Sequence, residues 1–599
     1  MAYCEKCGTK LTPGAAFCER CGTKVPVKSV VSGTHNTQSS IKAIYCEKCR
    51  SKLSPGSMFC EQCGTKVPGT EIPGRKPDKL YCFDGTDDNY LLFSRIDWSS
   101  IWKKKAGNAT GYELGIILTN VSALASQLNV PAFEVERIIR SHIAAARKRG
   151  VEYCVLRLDK NSVRFDVSER NSIRDVEDIV ALLRQVIDVA RPKYLFILGN
   201  EDIVEVATWE NEADTRSHDQ DVDSDFVYSV LDTTSPWEGQ DFNLNEALRV
   251  GRLPTTDGDF EGFQRYFENA AEGIGAFDEI KAYGLSAKVW AEESQFEFEH
   301  FRNDAYYAVE TSPEVEADDT ISELAETEAN ILFFNLHGSS EDKTWYGQEG
   351  YTYPKAVLPD AFYFYSVPFF LGVEACYGAR YIGLPPKESI VKTAMRNRCL
   401  AFLGSSRIAM GASAPQFRCC ADIVIGDYLK HVACGETAGD AHILSLQALI
   451  RKSRSEYSGT LTPDDVLTIA EFSLYGDPSS CTGRNKNIGM AKSMFKTFGG
   501  VPKGLRVPVP DVLKAAKMYL AEVNAEIEAK VDSFATQFLP FSREDELRKK
   551  SIHFSHNVYR MQNGKLFNKT YSFDTAIGMS FVSVYFDKNG RIRNAAISK

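Results

Sequence analysis

The stretch 368-PFFLGVEACYGARYIG-383 decides how the chain is read. A continuous apolar and aromatic run breaks off at Glu374-Ala375-Cys376-Tyr377-Gly378, and an earlier run of the same form, 330-NILFFNLHGSS-340, breaks off at His337-Gly338. Both are short, rich in Phe, Leu, Ile and Val, and closed by turn residues, which predicts fully buried strands. In a parallel α/β sheet, chemistry gathers at the carboxyl ends of the strands, where loops emerge above the edge. A His leaving one such strand and a Cys leaving another, 39 residues later, are therefore expected side by side. A thiol nucleophile needs that partnership, because an imidazole both activates it and supplies a proton to a departing amine.

A lone Cys after a strand is ordinarily a small buried hydrophobe, and a lone His-Gly ordinarily a turn. Strand–His-Gly followed by strand–Ala-Cys-x-Gly is a rarer combination. It resembles the caspase-like superfamily of cysteine peptidases, which includes caspases, legumain, separase, clostripain and the gingipains. Further blocks narrow the resemblance: 193-KYLFILGNEDI-203, 223-DSDFVYSVLD-232 and 249-RVGRLPTTDGDFEGFQRYFEN-269 precede the His, and 398-RCLAFLGSSRI-408 and 472-FSLYGDPSS-480 follow the Cys. In that order they resemble the gingipain-like peptidases, over about residues 80–500. The resemblance implies an α/β fold with a caspase-like, mostly parallel sheet flanked by helices. Residues 80–285 would form its N-terminal α/β part and 286–500 its catalytic part.

It also implies an endopeptidase in which Cys376 is the nucleophile and His337 acts mainly on the leaving amine. The backbone amides of Gly338 and Cys376 would form the oxyanion hole. No residue stands out as the third member that orients His337. Glu374 falls on the same strand face as Cys376 and is expected to be structural. Asp223 and Asp225 are open to two readings, a metal site or strand capping, with capping preferred. Cys82, Cys154, Cys399, Cys434 and Cys481, and the pair Cys419-Cys420 in a helical region, have no His-Gly partner and read as packing residues.

The first 68 residues carry a repeat: 3-YCEKCGTKLTPGAAFCERCGTKVP-26 returns as 45-YCEKCRSKLSPGSMFCEQCGTKVP-68. Each copy holds two CxxC knuckles ten residues apart, with Cys4, Cys7, Cys18 and Cys21 in the first and Cys46, Cys49, Cys60 and Cys63 in the second. Two thiolates two residues apart grip one ion from a tight turn, and a second knuckle completes a tetrahedral zinc site. So short a segment buries little core, so zinc must supply its folding free energy, on the order of 10 kcal/mol. Both copies look like short zinc ribbons. All four ligands are Cys in each, which leaves no open coordination position, so two structural Zn2+ ions are expected and none for catalysis. The Ser/Thr/Gly-rich stretch 27–44 and the stretch 69–79 read as linkers.

At 599 residues, 43% hydrophobic and 25% charged, the chain has the composition of an ordinary multidomain globular protein. MAYCEKCGTK lacks an apolar signal core and no run reaches the length of a membrane span, so a cytoplasmic address and no membrane partner are expected. Net charge is −10, but residues 1–80 hold 13 Lys/Arg against 6 Asp/Glu and the remainder 57 against 74. A basic head on an acidic body points to an acidic partner or simply to solvated lysines, and the acidic body tilts the preferred substrate residue toward a basic one. Nucleic acid is a permitted but disfavoured partner; a protein or peptide substrate is expected, with a protein partner at the ribbons.

Residues 501–599 form an α-then-β module. A long amphipathic helix is predicted over 508–535, then β-like runs at 553–564, 566–574 and 578–598, with Asp-Lys-Asn-Gly as a hairpin turn. This module is expected to restrain the peptidase or to dock substrate. Against the peptidase stands the alternative of a non-catalytic caspase-like scaffold or adaptor that binds protein or nucleic acid through its ribbons. The full chain should carry two zinc ions, and the chain lacking residues 1–78 none, by elemental analysis. Removing zinc should leave any peptide turnover intact.

Overall fold

The computed structural model describes residues 113–160 and 175–483 apart from short breaks, together with the backbone of strands at 81–83, 91–92, 556–562, 565–575, 578–586 and 592–598. The chain divides into two units, Met1–Asp78 and Lys79–Lys599, and all described residues belong to the second. The two ribbons, both linkers and the predicted helix at 508–535 lie outside the described residues.

In chain order the strands are β1 (Tyr81–Phe83), β2 (Leu91–Leu92), β3 (Glu113–Thr119), β4 (Val151–Arg157), β5 (Tyr194–Leu198), β6 (Ala207–Glu210), β7 (Asp221–Ser224), β8 (Arg249–Leu253), β9 (Lys281–Ala287), β10 (Tyr306–Ser312), β11 (Ile331–Asn335), β12 (Trp345–Tyr346), β13 (Lys355–Val357), β14 (Phe369–Glu374), β15 (Cys399–Ser405), β16 (Met410–Gly411) and β17 (Phe472–Gly476). Twelve of them make one large, mostly parallel sheet in the order β10-β9-β11-β14-β15-β17-β8-β5-β3-β4-β1-β2, flanked by helices. Strands β10, β9, β11, β14 and β15 are mutually parallel, and so are β17, β8, β5, β3 and β4. The two sets meet antiparallel, with Leu403 opposite Leu474. Their carboxyl ends therefore leave at opposite edges of the sheet. The sheet runs unbroken across residues 285 and 286.

Continuous apolar runs explain these strands. ILFFN of β11, FFLGVE of β14 and YLFIL of β5 are buried at every position, as strands covered on both faces must be. The helix Ala132–Lys148 starts after Pro131 and turns Val135, Ile138, Ile139, Ile143 and Ala146 inward. Among the described residues, no helix is long and apolar enough to cross a membrane.

One local expectation gives way, the strand that the gingipain-like resemblance implies over 223–232. The block 223–232 is not a strand: β7 ends at Ser224, whose hydroxyl accepts from the Phe226 amide at 3.0 Å, and Phe226–Val230 is helical. Asp225 makes no cap hydrogen bond. Its carboxylate instead grips the fully buried Arg252 of β8 through both oxygens, at 2.6 and 2.7 Å. The segment 385–396 breaks at Ser389, which caps the helix Ile390–Arg396 by accepting from the Lys392 amide. The region 417–452 is two helices, Cys420–Ala433 and Ala438–Glu456, with Gly435 at φ +88° in the turn between them.

The expected β-like runs of the C-terminal module correspond to β18 (His556–Gln562), β19 (Lys565–Thr575), β20 (Gly578–Phe586) and β21 (Ile592–Ser598), an antiparallel meander. Strand β21 continues into the body by pairing with β16, Met410 opposite Ser598 and Gly411 opposite Ile597.

The second parallel set is pinned from within by Asp477. Its carboxylate accepts from the Tyr153 hydroxyl at 2.6 Å and lies 3.1 Å from His142, while its amide donates to Tyr266 at 2.6 Å. Burial alone would raise this carboxyl, but His142, Arg149 and Tyr153 hold it well below the usual carboxylate range. A depressed carboxylate stabilises the fold above its unfolded pKa and loses that contribution as pH falls. Asp477→Asn should therefore cost about 3 kcal/mol at pH 7 and progressively less below pH ~4, measured by denaturant unfolding.

Candidate active site

Strands β11 and β14 are adjacent and parallel, with Asn335 opposite Glu374. His337 and Cys376 each follow two residues beyond that pair, so both leave the same sheet edge from neighbouring strands, about 4.8 Å apart. The flanking strands contribute as well. Trp290, in the turn after β9, sets its ring 4.3 Å from the His337 ring. Ala409, after β15, offers its carbonyl to the Cys376 thiol at 3.6 Å. Four consecutive strands thus deliver groups to one spot.

The His337 backbone is held by a bridge to Tyr346, with amide-to-carbonyl distances of 2.8 and 2.7 Å. Tyr346 ends β12, which pairs antiparallel with β13. The same hairpin holds the ring. Gln348, fully buried, meets His337 Nε2 through Oε1 at 2.6 Å, and Tyr353 stands edge-on at 5.2 Å. Gly347 seats the hairpin on the end of β10, where a Cβ would run into Ser312. Only 5% of His337 and 6% of Cys376 is exposed.

Gly338 lies against Cys376 so closely that a Cβ there would overlap the Cys376 carbonyl oxygen. Among the described residues its amide donates to no backbone acceptor. After the thiol, the chain turns sharply. Tyr377 takes the left-handed conformation, φ +54°, at a cost of about 1 kcal/mol. Its amide donates to the Arg407 carbonyl at 2.6 Å. Arg407 is anchored in turn: its guanidinium meets Asp223 at 2.7 Å and the Asp221 carbonyl at 2.8 Å. The β6–β7 hairpin therefore props up the turn that aims Cys376. In this structure Asp223 is the ion-pair partner of Arg407.

Below the edge, Glu293, Glu374 and Asp422 are fully buried and bring carboxylate oxygens within 4.8 Å of one another. Asn335 donates to Glu293 at 2.7 Å, and Asp422 accepts from the Ala412 and Cys419 amides at 2.7 and 2.9 Å. Glu374 was expected on this strand face; its two acidic companions were not. Cys154 and Cys399 pack in the main core, with Cys481 partly buried against it. Cys419 and Cys420 are nearer the site than their sequence context implied, sharing a small cluster with Cys376, Ile408, Met410 and Tyr457. Cys82 and the eight ribbon cysteines lie outside the residues whose side chains are described.

Gln348, Trp290, Tyr353 and Arg407 had no signal in the sequence beyond their position near turns. Each acts through a contact made only when distant segments meet.

Residues 4–64 match the family model of the double zinc ribbon. None of the curated proteins compared with the chain matches it. A solved structure described as that of a protease is similar at 11% identity and a TM-score of 0.42, covering 81% of this chain and 97% of its own.

Gly338→Ala should force the His337 loop away from Cys376. The expected cost is about 1–3 kcal/mol of stability, together with loss of any His337-dependent acceleration of Cys376 alkylation. Thermal unfolding and iodoacetamide kinetics, with His337→Ala as the reference, measure both.

Proposed function

We propose that the body is a caspase-like cysteine endopeptidase of the gingipain-like kind, working in the cytoplasm on protein or peptide substrates. The observation that carries this reading is the shared register of His337 and Cys376 beyond β11 and β14. In this reading the Cys376 thiol gives its proton to His337 as its sulfur attacks the scissile carbonyl, and the C=O π electron pair moves onto the oxygen. The Gly338 amide, with that of Cys376, receives the oxyanion. As the tetrahedral species collapses, the C–N bond breaks and His337 gives a proton to the departing amine. A water then attacks the thioester, passing its proton to His337, and Cys376 leaves as thiol or thiolate.

The buried carboxylates of Glu293, Glu374 and Asp422 support a basic residue immediately before the scissile bond. Three acids grouped at this edge give it a negative character that a cationic side chain complements. Glu374 ends the strand that leads to the thiol, two residues before Cys376. Arg418 pairs with Glu297 and Asp427 and also donates to the Asp422 carbonyl at 3.3 Å.

The two ribbons act as accessory modules, each holding one structural zinc through four cysteines, and recruit a protein partner. The pairing of β21 with Met410–Gly411 supports reading the C-terminal module as docked on the rim of this site. The second reading, a non-catalytic scaffold, keeps the same fold and ribbons but needs no reactive thiol.

The full chain should hydrolyse small peptides with Lys or Arg before the scissile bond at least tenfold faster than those with Ala or Asp. Cys376→Ala should abolish turnover and covalent thiol labelling without unfolding the chain. His337→Ala should slow turnover by 10²–10⁴, in the range for a lost general acid, while the thiol remains modifiable. Glu374→Gln should narrow the preference for basic residues. Turnover surviving in Cys376→Ala would remove the peptidase reading from this site. If Glu374→Gln instead abolishes a response to added divalent cation, the cluster is a metal site and not a substrate pocket.

A further inference from the structure

The contact between His337 and Gln348 has a fixed polarity. Gln348 Nε2 donates to the Gly350 carbonyl at 2.9 Å and approaches the Tyr353 hydroxyl at 3.2 Å. A carbonyl oxygen only accepts, so the amide nitrogen belongs on the Gly350 side and Oε1 on the imidazole side. Oε1 also only accepts, and it lies 2.6 Å from His337 Nε2. The neutral ring must therefore keep its proton on Nε2, and Nδ1 becomes the nitrogen that exchanges one.

The support around Gln348 is rigid. Its side chain is completely buried, and its amide donates to the Ser312 carbonyl at the end of β10. Between Tyr346, which bridges the His337 backbone, and Tyr353, which meets its ring, one hairpin fixes both the position and the rotation of the imidazole. Trp290 closes a further side at 4.3 Å.

We propose that Gln348 is the positioning residue of this site, selecting the Nε2–H tautomer of His337 and so presenting Nδ1 for proton exchange in the chemistry of Cys376. The inference rests on the reading of His337 and Cys376 as a catalytic pair. It adds the orienting third member that neither strand carries. A neutral amide suits the task, since it orients the ring without the strong hold on an imidazolium that a carboxylate would exert. The ring is thereby left able to release its proton to a departing amine.

The test uses the full chain labelled with ¹⁵N-histidine, with the His337 signals identified by their loss in His337→Ala. Wild type should show the Nε2–H tautomer for neutral His337. Gln348→Met, which fills the space without a carbonyl acceptor, should give a mixed or reversed tautomer and lower kcat on the order of 100-fold, the scale of a misplaced reacting group, with KM near the parent value. Gln348→Glu keeps an acceptor oxygen at the same place and should keep the Nε2–H tautomer, while its charge holds the imidazolium and leaves kcat between those of Gln348→Met and wild type. If Gln348→Met does not fold, as judged by thermal unfolding, the wild-type tautomer and Gln348→Glu still decide the matter. An Nδ1–H tautomer in wild type overturns the proposal, as does an unchanged tautomer and rate in folded Gln348→Met. If the tautomer responds as expected while wild type turns over no peptide, the positioning role stands and the peptidase reading falls.

Discussion

The candidate site depends on the register between β11 and β14. With Asn335 opposite Glu374, residues two places further on both strands reach the same edge together. A slip of one residue would exchange the faces of every side chain on one strand. It would also separate Gly338 from the Cys376 backbone, where the fit tolerates no Cβ. The register is hard to change because both strands are buried at every position and neither has a polar face to expose. Core packing and site geometry are therefore enforced by the same apolar contacts.

Around that pair, the molecule compensates locally for what its edge demands. The left-handed Tyr377 is held by the Arg407 carbonyl, and Arg407 by Asp223 and Asp221 on the separate β6–β7 hairpin, which the chain forms between β5 and β8 of the other parallel set. Arg252, with no exposure, is held by Asp225 on the segment that follows that hairpin. The antiparallel seam at β15 and β17 is thus bridged by the Arg407–Asp223 ion pair as well as by its ladder. The second parallel set contributes no strand end to the candidate site. It contributes the brace.

The strands were legible in the sequence where burial on both faces erases alternation and leaves plain apolar runs, as in 330–335 and 368–374. The breaks at His337-Gly338 and Cys376 were legible for the same reason, since polar and turn residues end such runs abruptly. Strand order was not legible. Nothing local in 472-FSLYG-476 says that it lies between β15 and β8, parallel to one and antiparallel to the other. Gln348 was equally hidden, because 345-WYGQEGYTYPK-355 reads as an aromatic turn until the hairpin folds back on His337. Asp223 and Asp225 looked like caps because Asp favours such places, and tertiary cations outbid that local preference. The strand expected over 223–232 failed for a related reason: Ser224 turns the chain within two residues, and Phe226–Val230 is helical.

The junction of β16 with β21 bears on the order in which the molecule is completed. Met410 adjoins the carbonyl that accepts from the Cys376 thiol, yet its ladder partner Ser598 is close to the far end of the sequence given. A chain made from its amino end presents β11, β14 and β15 long before β21, and contacts so distant in sequence form late because the closing loop must first lose its entropy. The strands bearing His337 and Cys376 can thus pair while one side of the site is still unfinished, and the last hydrogen bonds to form at its rim are those of β21.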